Sequence, residues 1–274
     1  MKFIRSSFAV TASLAALVMS PAHAGAIHDA SLFTTVLPAN DDGSTGLVNL
    51  GFTAQINSTN YTQTYVNNNG NVTFNNSLST FTPSAISSGG FGPIIAPFFA
   101  DVDTRGSLSD VVRYGSAVLG GHNVFGVNYI NVGVFASQNI LNSFQLILTD
   151  RSDVASGDFD IQFNYDTIIW EAGTASGAPA GGLGGTSALA GYWTSSSSNA
   201  TLPGSLVNGA LLDGGVDSLT GHSLNSNVLG QYNFQVRGGV VVPPPTGVPE
   251  PTSIALVALA LVTAGVASKK GRRA

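Results

Sequence analysis

Cysteine is absent from the 274 residues. That excludes disulfides, thiolate metal centres and cysteine nucleophiles, so stability in any compartment must come from packing and strand pairing. Positive charge is nearly as scarce. Between residues 25 and 248 the only basic side chains are Arg105, Arg113, Arg151 and Arg237, against thirteen aspartates and Glu171, a net charge of −10. Lysine is missing from this body altogether. Phosphate contacts dominate non-specific nucleic-acid affinity, so a chain this acidic is a poor partner for DNA or RNA. Solubility must come instead from Asn, Ser, Thr and Gly.

Chemical signatures are thin as well. His28, His122 and His222 are far apart and stand in no H-E-x-x-H or other ligand-spaced pattern, and no G-x-S-x-G nucleophile elbow occurs. Outside the two ends no amphipathic helical stretch of a dozen residues is found, and a short helix near residues 204–212 is the one helical candidate.

What is present is alternation. In "LVNLGFTAQIN" Val48, Leu50, Phe52, Ala54 and Ile56 fall on one face of a pleated strand and Asn49, Thr53 and Gln55 on the other. "YTQTYVNNNGNVTFN" predicts a hairpin, with Asn69-Gly70 supplying the positive φ angles of a tight turn. Further strands are expected at 94–100, 111–114, 124–135, 144–149, 159–165 and 232–236. The cleanest alternates Phe159, Ile161, Phe163 and Tyr165 with Asp160, Gln162, Asn164 and Asp166. The expected fold is mainly β, an antiparallel layered, sandwich-like domain with small helical insertions. The glycine-rich stretch 171–187 reads as a long surface loop.

The ends differ from this body. Lys2 and Arg5, an apolar run over 8–19, Pro21 and Ala22-His23-Ala24 have the order of a secretory signal cleaved after Ala24. Beyond Arg237, glycines and prolines form an extended spacer. Residues 252–268 carry no charge, and as a helix would span about 25 Å against a bilayer core of about 30 Å. Lys269, Lys270, Arg272 and Arg273 would then stay cytoplasmic, leaving the body outside. The expected organisation is a signal peptide (1–24), a β domain (25–237), a Gly/Pro-rich linker (238–251) and a single transmembrane helix with a basic tail (252–274).

Val248-Pro249-Glu250-Pro251, the apolar segment and the basic cluster together resemble the PEP-CTERM sorting signal of Gram-negative bacteria. The resemblance implies a transient inner-membrane anchor read by an exosortase-type membrane protease. The body resembles the nidogen-like extracellular domain, through "YVNNNGNVTFNNSLSTFTP", "PIIAPFFADVDTRG", "NSFQLILTDRSD", "GDFDIQFNYDTIIWE" and "SALAGYWT" in that order. That resemblance implies an extracellular, matrix-associated domain with no assigned catalysis. Together they predict an exported protein for adhesion or scaffolding in an exopolysaccharide (biofilm) layer, with extracellular polysaccharide or surface proteins as partners.

Candidate sites are carboxylates and aromatics. Asp101 and Asp103 alternate in "ADVDTRG" and could offer Ca²⁺ hard oxygen ligands, or Asp103 could pair with Arg105 and cap the turn at Gly106. "TDRSDVASGDFD" gathers Asp150, Asp153, Asp158 and Asp160 without EF-hand spacing, and reads as a solvated acidic turn. A cation bridging it to Asp101 and Asp103 is a second possibility. Glu171 after Trp170 could be an acid beside a sugar-stacking ring, the basis of the alternative reading as a secreted glycosidase-like hydrolase. Tyr192 and Trp193, with the asparagine-rich turns, could face carbohydrate; buried core packing is the preferred account of both.

Overall fold

A computed structural model describes residues 25–179 and 182–243. Among them the chain forms two antiparallel sheets. The strands are β1 (Thr35–Val36), β2 (Val48–Ile56), β3 (Thr59–Asn67), β4 (Asn71–Thr73), β5 (Ile94–Phe99), β6 (Val102–Asp103) and β7 (Arg113–Leu119). After them come β8 (His122–Val134), β9 (Ser137–Asp150), β10 (Phe159–Thr167), β11 (Leu189–Ser195), β12 (Ser198–Thr201), β13 (Gln231–Arg237) and β14 (Val240–Val242). One sheet runs β1-β7-β8-β9-β10-β13-β14, with β6 also on β8, and the other runs β12-β11-β5-β4-β3-β2.

Alternation places the core between the sheets. Leu50, Phe52, Ala54 and Ile56 of β2 share one buried cluster with Phe125, Val127 and Tyr129 of β8 and with Phe144, Leu146 and Leu148 of β9. Phe159, Ile161, Phe163 and Tyr165 complete the same layer from β10. Full burial of such side chains stabilises by about 1.5–3 kcal/mol each, which substitutes for the missing cross-links. At the centre the Tyr129 and Phe144 rings stack with centroids 4.6 Å apart, and Phe98 bridges Phe144 and Trp170 at 5.2 and 5.5 Å.

Several expectations are corrected. Residues 204–212 form turns, and the helices among the described residues are three single-turn 3₁₀ helices, Ala30–Leu32, Ile86–Ser88 and Thr174–Ser176. The 171–187 stretch is partly interior: Glu171, Ala172, Ser176 and Ala178 are buried, and the Glu171 and Ala172 amides both donate to the Gly182 carbonyl. Glycine here permits close packing against the core rather than preventing it. The sheet also runs past Arg237, because Gly238 and Gly239 turn the chain so that Val240–Val242 pairs with β13.

The hairpin at "YVNNNGNVTF" is present, with Asn67 opposite Asn71. Its loop has three residues and a single left-handed position, Gly70 at φ 73°. A Cβ at Gly70 would overlap the Phe98 carbonyl, so both the backbone angle and the close approach require glycine.

Residues 1–24 and 244–274 lie outside the described residues. The cleavage residues Ala22 and Ala24, the motif Val248 to Pro251, the apolar segment and the basic group Lys269, Lys270, Arg272 and Arg273 all fall there. Among the described residues no helix is long and apolar enough to cross a membrane.

Candidate functional site

Asparagine was expected to supply solvated surface, yet Asn67, Asn68, Asn69 and Asn71 are all buried at one end of the sandwich. Buried amides must find partners, and these do. Asn67 Nδ2 donates to Asn71 Oδ1 and Thr73 Oγ1, while its Oδ1 accepts from Leu78 N and Ser44 Oγ. Asn68 Nδ2 donates to the Asp41 and Val102 carbonyls, both at 2.6 Å. Asn69 Nδ2 donates to Asp42 Oδ1, and its Oδ1 accepts from Val102 N. From the core side, Tyr129 Oη donates to the Asn67 and Asn71 carbonyls.

This turn fastens two acidic segments together. The first is the loop after β1, held by an Asn40 Oδ1 turn to Gly43 N and by mutual bonds between Asn40 and Thr104. The second is the corner between β5 and β6, which carries Asp101. Carboxylate oxygens of Asp41, Asp42 and Asp101 all lie within 4.8 Å of one another. Asp101 is 1% exposed and its Oδ2 accepts no hydrogen bond; the buried Oδ1 of Asp41 accepts none either. Gly173 closes over this carboxylate, where a Cβ would collide with Asp101 Oδ2.

The electrostatics follow from that crowding. Burial first, and then the charges of Asp41, Asp42 and Asp103, push the Asp101 carboxyl up to about 7 against the opposing pull of Arg105. Burial, Asp42 and Asp103 likewise raise Asp41 to about 6. Two carboxyls thus titrate near neutrality at one end of the molecule.

Asp103 lies apart from the triple. Its buried carboxylate accepts from the Arg105 backbone N at Oδ1 and from the guanidinium at 2.9 and 2.8 Å on its two oxygens. The same Arg105 reaches Asp41 Oδ2 at 3.0 Å. The partners beside Asp101 are therefore Asp41 and Asp42, some sixty residues upstream, a distance at which spacing carries no signal.

The acidic turn around Asp150 is ion-paired rather than merely solvated. Arg151 bonds Asp153 and Asp160, and Arg237 Nη2 lies 2.7 Å from Asp160 Oδ1, an ionic contact rather than an aligned hydrogen bond. Asp158 caps Gly238 N, and Asp150 accepts from Ser152 N and Oγ. No member of this turn joins the Asp41–Asp42–Asp101 group.

The residues behind the hydrolase alternative are placed in the framework. Trp170 is fully buried with Nε1 donating to the Val132 carbonyl, so its faces meet core and not solvent. Glu171 is buried as well, and accepts from Gly209 N at 2.7 Å and Leu211 N at 2.8 Å. It anchors the 204–212 turns. Tyr192 packs edge-on against Phe234, and Trp193 lies half-buried over Gly89 beside Phe99 and Leu189. His28 Nε2 contacts Gln162 Oε1 and His222 Nδ1 contacts the Ser218 carbonyl, while His122 lies 3.8 Å from Asp153.

The NIDO-related family matches residues 23–208. Alpha-tectorin of Homo sapiens and of Mus musculus are each 32% identical over 237 residues, covering 76% of this chain and 10% of their own. Alpha-tectorin of Gallus gallus is 32% identical over 236 residues with the same coverage. The chain spans about a tenth of the length of these curated relatives. No solved structure matches it significantly. With most of the sandwich inside the matched span, the chain belongs to the NIDO-related family.

Proposed function

We propose that this is an exported, non-enzymatic cell-surface or extracellular-matrix protein whose β domain serves adhesion or scaffolding. The observation that carries the reading is the family match over residues 23–208; the resemblance of the two ends of the sequence to export signals is taken with it as an expectation. In this account a signal peptidase cuts after Ala24. An exosortase-type protease then recognises Val248-Pro249-Glu250-Pro251 while the apolar tail and basic cluster hold the chain in the inner membrane. The released or transferred body acts in an exopolysaccharide layer through weak, repeated contacts.

The fates of the candidate acids support a scaffold. Asp103, Asp160 and Glu171 are each occupied by arginine or backbone amides that hold the fold together. A glycosidase needs two free carboxyl groups flanking a substrate cleft, and Glu171 spends both oxygens on the chain's own amides. The direct test is co-sedimentation of the purified chain with exopolysaccharide from the producing cells. Retention without release of reducing sugar is expected; release of sugar that disappears in Glu171→Gln would establish the hydrolase instead.

A further inference from the structure

Among the described residues only four arginines can offer positive charge to the aspartates, and they are distributed unevenly. Arg151 and Arg237 serve the Asp153, Asp158 and Asp160 group. Arg105 saturates Asp103 and reaches Asp41 only at Oδ2. Asp41 Oδ1 and Asp101 Oδ2, both buried, are left with no donor. A buried carboxylate without a partner is among the costliest arrangements a fold can keep. We propose that Asp41, Asp42 and Asp101 bind one divalent cation of the calcium type, which clamps the loop after β1 to the β5–β6 corner.

Three features of the site select that ligand. The first is reach: Ca²⁺ holds oxygens at about 2.3–2.6 Å, so ligands on opposite sides of one ion stand about 4.8 Å apart. The three carboxylate oxygens lie within 4.8 Å of one another, close enough for a single ion to touch all three. The second is donor chemistry. Only hard oxygens are offered, without sulfur or imidazole, which favours calcium over transition metals.

The third is preorganisation. Asn69 grips Asp42 Oδ1 with its amide nitrogen and Val102 N with its amide oxygen, while Asn68 grips the Asp41 and Val102 carbonyls. One asparagine turn thus fixes both ligand-bearing segments before any ion arrives. A frame built this way tolerates a large ion of loose geometry better than Mg²⁺, which demands near-octahedral ligands at about 2.0–2.1 Å. Vacant coordination positions would be filled by water.

This inference does not depend on adhesion or export, and its test uses the purified full chain in mild detergent. After removal of metal with EDTA, the chain is titrated with CaCl₂ and separately with MgCl₂ by calorimetry at about pH 8, and its Tm is read in parallel. A single saturable site for Ca²⁺ is expected, with Kd on the order of 0.1–1 mM as for extracellular calcium modules, and a Tm that rises with Ca²⁺. Asp42→Asn and Asp101→Asn should each weaken binding by about tenfold or more, whereas Asp153→Asn in the arginine-paired turn should bind as the parent does.

Asp101→Asn removes an unpaired buried charge, so in EDTA it should melt no lower than the parent while losing its response to Ca²⁺. That crossed pattern is one a merely structural aspartate would not give, and the half-buried Asp42→Asn provides a second variant independent of core folding. Absence of saturable heat together with an unmoved Tm at about 10 mM Ca²⁺ overturns the proposal. So does parental affinity in both variants. Mg²⁺ binding as tight as Ca²⁺ overturns the calcium assignment.

Discussion

Gly70 and the Phe98 carbonyl are packed so tightly that position 70 has no volume for a side chain, and the Phe98 amide donates to the Gly70 carbonyl at 3.2 Å. The β3–β4 turn and strand β5 are therefore locked backbone to backbone, with the buried asparagines on either side of the lock. Gly70→Ala should combine a left-handed strain with a backbone clash and cost about 3 kcal/mol or more. Gly120→Ala, at φ 60° with open space around it, should cost only about 1 kcal/mol. Denaturant unfolding of the two variants checks the contrast.

Arg105→Ala should be costly although half of its side chain is exposed, because it strips the fully buried Asp103 of its guanidinium and Asp41 of its nearest positive charge. A loss of about 2–3 kcal/mol is expected, below the range for a wholly buried pair because solvent screens Arg105. Arg113→Ala removes a side chain with no ion pair among the described residues and should stay within about 0.5 kcal/mol. Chemical denaturation in the presence of chelator reads both.

Stability should depend on pH in an unusual direction when metal is chelated. Asp101 and Asp41 have folded pKa values raised to about 7 and about 6 from 3.8, by burial and by Asp42 and Asp103, with Arg105 opposing. Between those limits the native state holds protons that the unfolded state has released, so this contribution falls as pH rises from about 4 to about 7 and is flat above. Melting temperatures across that window should decline more in the parent than in Asp101→Asn. Equal slopes would show that Asp101 does not titrate there.

Glu171→Gln should act on stability. A glutamine keeps one acceptor for the Gly209 and Leu211 amides that Glu171 now receives on separate oxygens, and turns its NH₂ toward the other. A cost of about 1–3 kcal/mol is expected from the amide left unpaired. Polysaccharide co-sedimentation by the folded variant should be unchanged.

The strands were legible in the sequence because each reports its own environment. Phe159, Ile161, Phe163 and Tyr165 are buried on β10, as alternation requires, and β2 buries Leu50, Phe52, Ala54 and Ile56 in the same way. Legibility stopped where polarity and burial part company. Asn67, Asn68, Asn69 and Asn71 have the composition of a solvated turn, and partners distant in the chain, Ser44 and Leu78 for Asn67 and Asn40, Asp41, Asp42 and Val102 for Asn68 and Asn69, help to make their burial possible. Glu171 was misleading for the same reason, since its partners lie some forty residues downstream in glycine-rich turns with no periodic pattern. The carboxylate triple was half visible: Asp101 stood out beside Asp103, but a loop contact between Asp41, Asp42 and Asp101 leaves no trace in local spacing.

The most direct measurement of the central claim is the intact mass of the native protein recovered from fractionated cells and culture medium. An exported matrix protein processed at both ends should appear at the cell surface or in the medium, beginning at Gly25 and lacking the apolar segment and basic cluster that follow Pro251. Recovery of the uncut 274-residue chain among soluble cytosolic proteins would contradict the account.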